Sequence, residues 1–334
     1  MDIQDSQISV LITGAAGFVG SAMASHLINN TSWSVVCVDK LNYASKDWSR
    51  LEVYEVLNNP RLRTITWDLQ IPFSEELKYE LKETNIIIHM AAESHVDNSI
   101  KDPVFCIKNN IDSTINILEF ARTLKNLKIF ENFSTDEVFG TCHKGQAPFK
   151  ESDCHYPGNP YAASKSCAES IVIGYSFVYK IPIICTNLMN IFGPLQLQEK
   201  FTTMTIRKIL EDETIQIHTN DEGVPGSRFY VYVDDVCQAV LFLLQFGKTG
   251  ERYNVPGYCE RNNLEYAQQI ASIIGKPLKY ELVSQTESRP YVDFRYCLDG
   301  SKIFNLGFKF KYDFDSRLRH TVEWTLKNKE WLYR

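Results

Sequence analysis

The chain has 334 residues, of which 44% are hydrophobic and 23% charged, with a net charge of −6 at pH 7. This composition is typical of a folded enzyme with one large or two coupled domains, and the acidic balance argues against nucleic acid or an anionic membrane as the main partner. No run approaches 18 apolar residues and no signal peptide opens the chain, which predicts a cytoplasmic protein.

Short β-branched runs alternate with amphipathic segments through the first half of the chain. The pattern predicts strands at residues 8–13, 34–38, 64–66, 86–89, 129–133 and 183–188, and helices at 18–30, 104–123 and 161–179. Alternating strands and helices imply right-handed crossovers and a parallel sheet. We therefore expect an α/β fold with a Rossmann-type, doubly wound parallel sheet.

The second half of the chain has a looser pattern. It predicts helices at 201–212, 234–246, 263–274 and 314–328, with short strands at 215–218 and 229–233. Asp234 is expected to cap its helix. We assign residues 1–192 mainly to a nucleotide-binding domain and 193–334 mainly to a smaller α/β substrate-binding part, with some chain exchange. Since no Gly/Ser-rich linker separates them, a cleft between packed halves is expected.

Three glycines follow the first predicted strand. Gly14 allows a tight turn, Gly17 lets backbone N–H groups approach a pyrophosphate, and Gly20 lets the next helix pack close to the sheet. The helix N-terminus adds partial positive charge near the phosphates. A glycine triplet is a weak signal alone, but here it joins a strand to a helix inside a βαβ unit, which predicts a dinucleotide site.

An acidic residue ends the second predicted strand. Asp39 lies about 20 residues beyond the glycine turn, where a carboxylate accepts hydrogen bonds from an adenosine ribose and repels a 2′-phosphate. This favours NAD over NADP. The alternative is that Asp39 only caps a turn. Asp68, after the third predicted strand, lies where it could meet the adenine edge.

A tyrosine and a lysine lie one turn apart on a predicted helix. Tyr161 follows the helix-start signal Asn159-Pro160, and the i, i+4 spacing places Lys165 on the same face. A nearby ammonium favours the phenolate, so we expect a lowered pKa for the phenol. Such a tyrosine can take a proton from a hydroxyl while hydride leaves for a nicotinamide. A surface lysine beside a packed tyrosine is the alternative.

Two adjacent carboxyl groups follow the fifth predicted strand. Thr135, Asp136 and Glu137 are expected at the carboxyl edge of the sheet, where ligands bind in open α/β folds. Different surroundings can keep one carboxyl protonated as an acid while the other serves as a base. This division suits the elimination of water. By residue type alone, a solvated turn is the competing interpretation.

Together these motifs resemble the extended short-chain dehydrogenases/reductases, and within them the nucleotide-sugar 4,6-dehydratases that act on dTDP-glucose or UDP-glucose. The resemblance is nearly end to end, and the Thr-Asp-Glu triplet is its most discriminating part. The matching segments are 13–20 (TGAAGFVG), 38–44 (VDKLNYA), 91–97 (AAESHVD), 134–140 (STDEVFG), 159–165 (NPYAASK), 190–194 (NIFGP), 198–200 (QEK), Arg228 and 233–235 (VDD).

The resemblance implies roles for individual residues. The implied cofactor is NAD, held by Gly14, Gly17, Phe18, Val19, Gly20, Asp39, Lys40, Asn42, Asp68, Leu69, Ala91, Ala92, Asn109, Tyr161 and Lys165. The implied catalytic residues are Thr135, Asp136, Glu137, Tyr161 and Lys165. The implied substrate-binding residues are Ser94, Thr135, Asn190, Lys200, Phe201, Arg228 and Arg289.

The implied reaction is oxidation at C4 of the sugar, loss of water across C5 and C6, and return of hydride to C6. Two alternatives stay open: a nucleotide-sugar 4-epimerase or related oxidoreductase of the same fold, and a non-catalytic protein that senses NAD. A sensor has no need for all of Tyr161, Lys165, Asp136 and Glu137. The family resemblance also implies a homodimer formed through the helix at 161–179.

The chain departs from the family pattern at several positions. Asn187 stands where an arginine is common, and Ile191 where an asparagine is common. Residues 288–293 differ from the usual Asp-Arg-Pro-Gly-His-Asp, and 221–227 form a longer stretch before Arg228. All but Ile191 are expected toward the nucleotide end, where they bear on base and sugar preference.

Neither the cysteines nor the histidines suggest a metal. The nine cysteines are scattered without zinc-ligand spacing, and the histidines show no ligand pattern. We therefore expect free thiols and no metal. His95 is expected to have a structural hydrogen-bonding role.

Overall fold

The computed structural model describes residues 8–284 and 294–334. Its strands are β1 (Ser9–Thr13), β2 (Ser34–Asp39), β3 (Leu62–Thr66), β4 (Ile86–His89), β5 (Ile129–Thr135), β6 (Ile183–Leu188), β7 (Asn190–Phe192), β8 (Ile215–Thr219), β9 (Ser227–Tyr232), β10 (Glu251–Val255), β11 (Glu260–Asn262) and β12 (Tyr280–Ser284).

The helices of the described residues complete the element order. They are α1 (Phe18–Asn30), α2 (Ser49–Val53), α3 (Glu75–Glu80), α4 (Val96–Lys101), α5 (Pro103–Ala121), α6 (Pro160–Tyr179), α7 (Phe201–Leu210), α8 (Val233–Phe246), α9 (Asn263–Ile274), α10 (Ser301–Asn305) and α11 (Phe314–Lys327). Short 3₁₀ turns cover Asp136–Phe139 and Lys329–Leu332. Nothing among these helices is both long and apolar enough to span a bilayer.

The central sheet has seven parallel strands in the order β10-β6-β5-β4-β1-β2-β3. Helices cover both faces, which confirms the predicted doubly wound α/β fold. On β4, Ile86 and Ile88 pack into the core shared with α1 and α8, while Ile87 packs into the core shared with α5. A strand covered on both faces explains the uninterrupted apolar run.

The last strand of this sheet comes from the second half of the chain. β10 pairs with β6 in parallel, with Asn254 beside Asn187. No apolar alternation predicted this strand, because its sequence is Glu-Arg-Tyr-Asn-Val and its polar groups are satisfied by loops. Asn254, for example, donates to the carbonyls of Phe149 and Asp299.

The rest of the second half forms two small sheets, β11-β9-β7 and β12-β8. One expected cap is wrong: α8 begins at Val233, with Tyr232 at the cap position and no side-chain capping bond. Asp234 lies inside the first turn, where its carboxylate bonds His26 and Gln238. Tertiary partners therefore replace the local cap.

One carboxyl group is buried within the central sheet, without an ion pair among the described residues. Glu131 of β5 is 0% exposed, and the Thr186 hydroxyl donates to one of its oxygens. Burial raises its pKa well above 4.5. In the native state the group therefore stays protonated at pH values where the unfolded chain has ionised it, so it makes stability fall as the pH rises.

Glu131→Gln should remove this pH dependence, because the amide is nearly isosteric and does not ionise. Relative to the parent, the free energy of unfolding should improve by up to about 1.4 kcal/mol per pH unit above 4.5. Urea unfolding at pH 5 and pH 7 measures the difference. Glu83→Gln, the same change at an exposed position, is the matched control, and an equal response from it would contradict the assignment.

Candidate active site

A cavity of about 830 Å³ lies at the carboxyl ends of the central strands and extends to residues of β8 and β9. All of the predicted cofactor, catalytic and substrate residues line it, apart from Arg289. Arg289 lies outside the described residues. The fold thus brings residues from both halves of the chain to one site.

The glycine turn has the geometry of a phosphate cradle. Gly14 has φ +69°, a conformation that other residues rarely adopt. A Cβ on Gly20 would lie 2.2 Å from the Gly14 carbonyl oxygen. With Gly17 capping α1 and lining the cavity, the helix N-terminus opens toward it. Backbone N–H groups at such a terminus favour an anion.

Asp39 ends β2 with its carboxylate held from the backbone. Ala16 N donates to Oδ2 at 3.0 Å, and Leu41 N and Ser45 Oγ donate to Oδ1 at 2.9 and 3.1 Å. Burial raises its pKa, while these hydrogen bonds act in the opposite direction. A carboxylate has roughly four acceptor positions, so capacity remains for a ribose hydroxyl.

The ammonium next to this carboxylate is engaged elsewhere. Lys40 Nζ lies 2.7 Å from Asn109 Oδ1 and 3.1 Å from Glu93 Oε1. Asn42 Nδ2 donates to the same Glu93 oxygen at 2.9 Å. Lys40, Asn42 and Asn109 are therefore fixed as one polar cluster at the cavity wall, with Glu93 as its centre.

Asn159 fixes the segments that carry Tyr161 and Glu137 relative to each other. Its Oδ1 accepts from Ala162 N at 2.8 Å and so caps α6 directly before Tyr161. Its Nδ2 donates to Glu137 Oε2 at 3.0 Å. The start of the helix is thereby tied to the turn after β5.

The Tyr161 phenol has the opposite pKa shift to the one expected. Burial raises its pKa, and the charges of Glu137 and Asp136 raise it further, while a hydrogen bond with Thr135 lowers it. The expectation of a lowered pKa was wrong because it considered only Lys165. Lys165 is itself buried, and burial lowers its pKa to about 8, opposed by Glu169.

The Thr-Asp-Glu triplet forms the end of β5 and the first residues of the 3₁₀ turn. Thr135 Oγ1 donates to Asp136 Oδ1 at 3.0 Å and accepts from Glu137 N at 3.3 Å. Burial, followed by the charge of Glu137, raises the pKa of Asp136 from 3.8 to about 8. Asp136 is therefore an acid at neutral pH, and its buried Oδ2 has no hydrogen-bond partner within the described part of the chain.

Glu137 lies in a more polar setting than its neighbour. Besides Asn159, the Tyr296 hydroxyl lies 3.4 Å from Oε2 and donates to it. Glu137 is only partly buried, whereas Asp136 is 4% exposed. The two adjacent carboxyl groups therefore have distinct environments, as acid and base roles require.

The far end of the cavity carries positive charge. Arg228 on β9 donates from Nη1 to the carbonyls of Ser227 and Phe294, at 2.7 and 3.0 Å, and its guanidinium lies 4.8 Å from the centre of the Tyr296 ring. Lys200 Nζ lies 3.3 Å from the Ser94 carbonyl oxygen, and burial lowers the Lys200 pKa.

Sequence reasoning missed several residues that shape the site. Tyr296 and Glu93 carry no local motif for their roles, and Asn159 was interpreted only as a helix start. Asn187 was expected toward the nucleotide end, but this was wrong. It lies buried in β6, where Nδ2 is 3.5 Å from the Thr135 carbonyl oxygen and 3.1 Å from Glu169 Oε2.

The other positions that depart from the family pattern lie partly at the cavity and partly outside the described residues. Ile191 and Gly226 line the cavity. Residues 288–293 lie outside the described residues.

His95 caps α4, where Nδ1 accepts from Asn98 N at 3.3 Å. In the described ranges, no three His, Cys, Asp or Glu side chains group so that they could hold a metal ion.

The chain is similar to known proteins along nearly its whole length. Residues 11–321 match the family model for GDP-mannose 4,6-dehydratase. A dTDP-glucose 4,6-dehydratase from Haemophilus influenzae is 34% identical, with 96% of this chain and 98% of that protein covered.

Two solved structures are also similar. A dTDP-glucose 4,6-dehydratase from Streptomyces venezuelae, solved with NAD bound, superposes with a TM-score of 0.88 at 30% identity, covering 97% of this chain and 98% of the other. One from Bacillus anthracis, also in complex with NAD, has a TM-score of 0.85 at 29% identity, covering 97% and 98% of the two chains.

Proposed function

The chain belongs to the nucleotide-sugar 4,6-dehydratase family of the extended short-chain dehydrogenases/reductases, and from this premise we propose that it converts dTDP-glucose or UDP-glucose to the 4-keto-6-deoxy sugar nucleotide and water. The observation that carries the proposal is the carboxyl pair: Asp136, whose pKa burial raises to about 8, adjoins Glu137 in the same cavity as Tyr161 and Lys165. A simple dehydrogenase has no use for that pair. The relatives favour the dTDP sugar.

NAD fits the cofactor half of the cavity. The glycine turn and the α1 N-terminus would hold its pyrophosphate, and Asp39 its adenosine ribose. Lys40 is engaged by Glu93 and Asn109, which leaves the carboxylate of Asp39 to disfavour a 2′-phosphate. Phe18, Val19, Asp68, Leu69, Ala91 and Ala92 would complete the pocket.

The first chemical step belongs to Tyr161, Thr135 and Lys165. When bound, NAD supplies a cationic ring that accepts hydride from C4 and later returns hydride to C6. Tyr161 would take the proton of the 4-hydroxyl, and Lys165 would stabilise the phenolate and could hold the nicotinamide ribose. On substrate binding the Thr135 hydroxyl would turn from Asp136 Oδ1 to the C4 oxygen and donate to it as negative charge develops there.

Elimination then uses the carboxyl pair. The C4 ketone acidifies the C5 hydrogen, and Glu137 takes that proton. Asp136, which is protonated at neutral pH, gives its proton to the C6 hydroxyl as the C6–O bond breaks and water leaves. After hydride returns to C6, Glu137 gives its proton back to C5.

The rate of dehydration should fall as the pH rises through about 8, because Asp136 then loses its proton.

Proton balance requires one more transfer. Each turnover leaves Tyr161 with an added proton and Asp136 without one. Thr135 bonds both groups: its hydroxyl donates to Asp136 Oδ1 at 3.0 Å and is hydrogen-bonded to Tyr161. The proton can therefore pass from Tyr161 through Thr135 to Asp136 and reset the site.

The substrate would occupy the other half of the cavity. Arg228 would bind the pyrophosphate, since a guanidinium can contact two phosphate oxygens. Ser94, Asn190, Lys200 and Phe201 would line the sugar end, where the buried Asn190 Oδ1 has no hydrogen-bond partner in the described ranges. Arg289 is proposed for the nucleotide end. Residues 193–334 would thus supply most of the contacts to the nucleotide.

Incubation of the purified protein with dTDP-glucose and UDP-glucose separately tests the proposal. Mass spectrometry should show loss of one water from at least one of them. A product of unchanged mass with inverted C4, seen by NMR, would instead establish an epimerase. Bound NAD with neither product would establish the sensor.

We also propose a homodimer formed through α5 and α6. These helices leave apolar side chains uncovered, including Val104 on α5 and Phe177 and Val178 on α6, which are 66%, 74% and 70% exposed. Light scattering should give twice the chain mass of 38.5 kDa, and a monomer mass at micromolar concentration would overturn this assembly.

A further inference from the structure

The inner face of α6 carries a second charged residue that does not line the cavity. Glu169 is 0% exposed and lies one helical turn beyond Lys165, which is 6% exposed. A lysine preceding a glutamate by four residues is the less favourable order for helix stability. Burying both charges is costly unless they are paired. Helix formation therefore does not explain the pair.

Glu169 is held by side chains from two strands of the sheet. Arg252 Nε of β10 lies 2.9 Å from Oε1, and Asn187 Nδ2 of β6 donates to Oε2 at 3.1 Å. His155, in the segment before α6, places Nε2 3.7 Å from Oε1. Burial lowers the pKa of His155, so the ring is neutral at pH 7.

The same cluster reaches the catalytic turn from behind. Asn187 also points its amide at the Thr135 carbonyl oxygen, 3.5 Å away. Arg252 is anchored in turn by the Glu151 carbonyl oxygen at 3.0 Å. Glu169 thus forms a close ion pair with Arg252 on β10, and it acts electrostatically on Lys165, one turn earlier on its own helix, without lining the cavity.

We propose that Glu169 is a positioning residue, which Arg252 and Asn187 hold in place so that its carboxylate keeps the Lys165 side chain charged beside Tyr161. The role rests on the proposed dehydratase chemistry only for its effect on rate. Without the carboxylate, Lys165 and Arg252 would repel each other, and Lys165 would lose its proton at lower pH. Without Arg252, Glu169 would hold the Lys165 proton more tightly.

Other titratable groups interact with this face of α6. The parent protein and each variant contain the same set of them. Those that interact electrostatically with Lys165, Glu169 or Tyr161 are His89 on β4, Cys106 on α5, Asp136 and Glu137 on the 3₁₀ turn, Cys185 on β6 and His155. A pH range of 7 to 9 avoids the titration of the two histidines, whose pKa values are lowered.

The first test uses the protein without sugar nucleotide and measures the midpoint of denaturant unfolding from pH 7 to 9. A lysine whose native pKa lies below its unfolded value adds stability as the pH rises between the two. In Glu169→Gln this rise should begin at lower pH, so the deficit against the parent should narrow between pH 7 and 8. In Arg252→Gln the rise should begin later, so its deficit should grow above pH 8.

Val172→Ala, a buried change one turn further along α6, is the matched control. It should lower the midpoint by the same amount at every pH. If the Glu169→Gln and Arg252→Gln deficits are also independent of pH, or change in the same direction, the cluster only packs the helix and the proposal is overturned.

The second test measures turnover of the dehydratase. Glu169→Gln should move the alkaline limb of kcat by about one pH unit or more toward acid, with KM for the sugar nucleotide unchanged. Glu169→Asp, which keeps the charge, should restore much of the parental profile. An unshifted limb would overturn the role in catalysis. A parent without turnover would overturn the proposed function, while the unfolding test would still decide the coupling.

Discussion

Tyr161→Phe should lower dehydration of the sugar nucleotide by about a hundredfold or more, the usual scale for loss of a general base. The oxidation at C4 begins with removal of the hydroxyl proton, so neither reduced nicotinamide nor dehydrated product should form at the parental rate. The change removes one oxygen from a half-buried ring at the cavity wall and leaves the capping of α6 by Asn159 in place. Stopped-flow absorbance and product mass measure both steps.

Tyr156→Phe is the matched control, because this tyrosine is 84% exposed and lies shortly before α6, outside the helix that carries Tyr161. It should retain parental turnover. Bound NAD should stay stoichiometric in both variants, which separates loss of chemistry from loss of cofactor. An unchanged rate in Tyr161→Phe would remove this residue from the mechanism.

The raised pKa of the Tyr161 phenol bears directly on this expectation. Burial and the nearby carboxyl groups keep the proton on the phenol, whereas the positive charges of Lys165 and of a bound nicotinamide would favour its loss. Asp136 is protonated at neutral pH and so contributes little negative charge there. We therefore expect the Tyr161 phenolate, which is the base, to form mainly once NAD and the sugar nucleotide are bound.

Features encoded within a short stretch of chain could be predicted from the sequence. The glycine turn, Asp39 and the Tyr161/Lys165 pair each depend on neighbours a few residues apart, and all of them line the cavity. The central strands were predicted as well, because strands covered on both faces are continuous apolar runs. The polar β10 has no such run, so its sequence does not predict a strand.

Features that depend on distant contacts could not be predicted. Tyr296 contacts Glu137 from 159 residues further along the chain, and Arg252 contacts Glu169 of α6 from β10. The misplacement of Asn187 has the same origin: comparison with a family pattern located the residue in sequence but not on a face of β6. Side-chain direction in a strand depends on register, which the residue types around Asn187 do not specify.

Glu137→Gln should separate the two halves of the reaction. The amide keeps an oxygen that can accept from Asn159 and Tyr296, but it cannot take the C5 proton. Oxidation at C4 should proceed while elimination slows by about 10²–10⁴-fold, so reduced nicotinamide should accumulate. Absorbance of the reduced ring, followed in a single turnover, measures this, and deuterium from solvent should no longer enter C5.

Glu199→Gln provides the comparison for that result, since Glu199 also lines the cavity but lies outside the catalytic turn. Removing its charge should leave the ratio of the oxidation and elimination rates unchanged, so reduced cofactor should not accumulate. If Glu137→Gln instead dehydrated at the parental rate, another group would have to take the C5 proton. Asp136 could not do so at neutral pH, because its carboxyl group is already protonated and cannot accept a second proton.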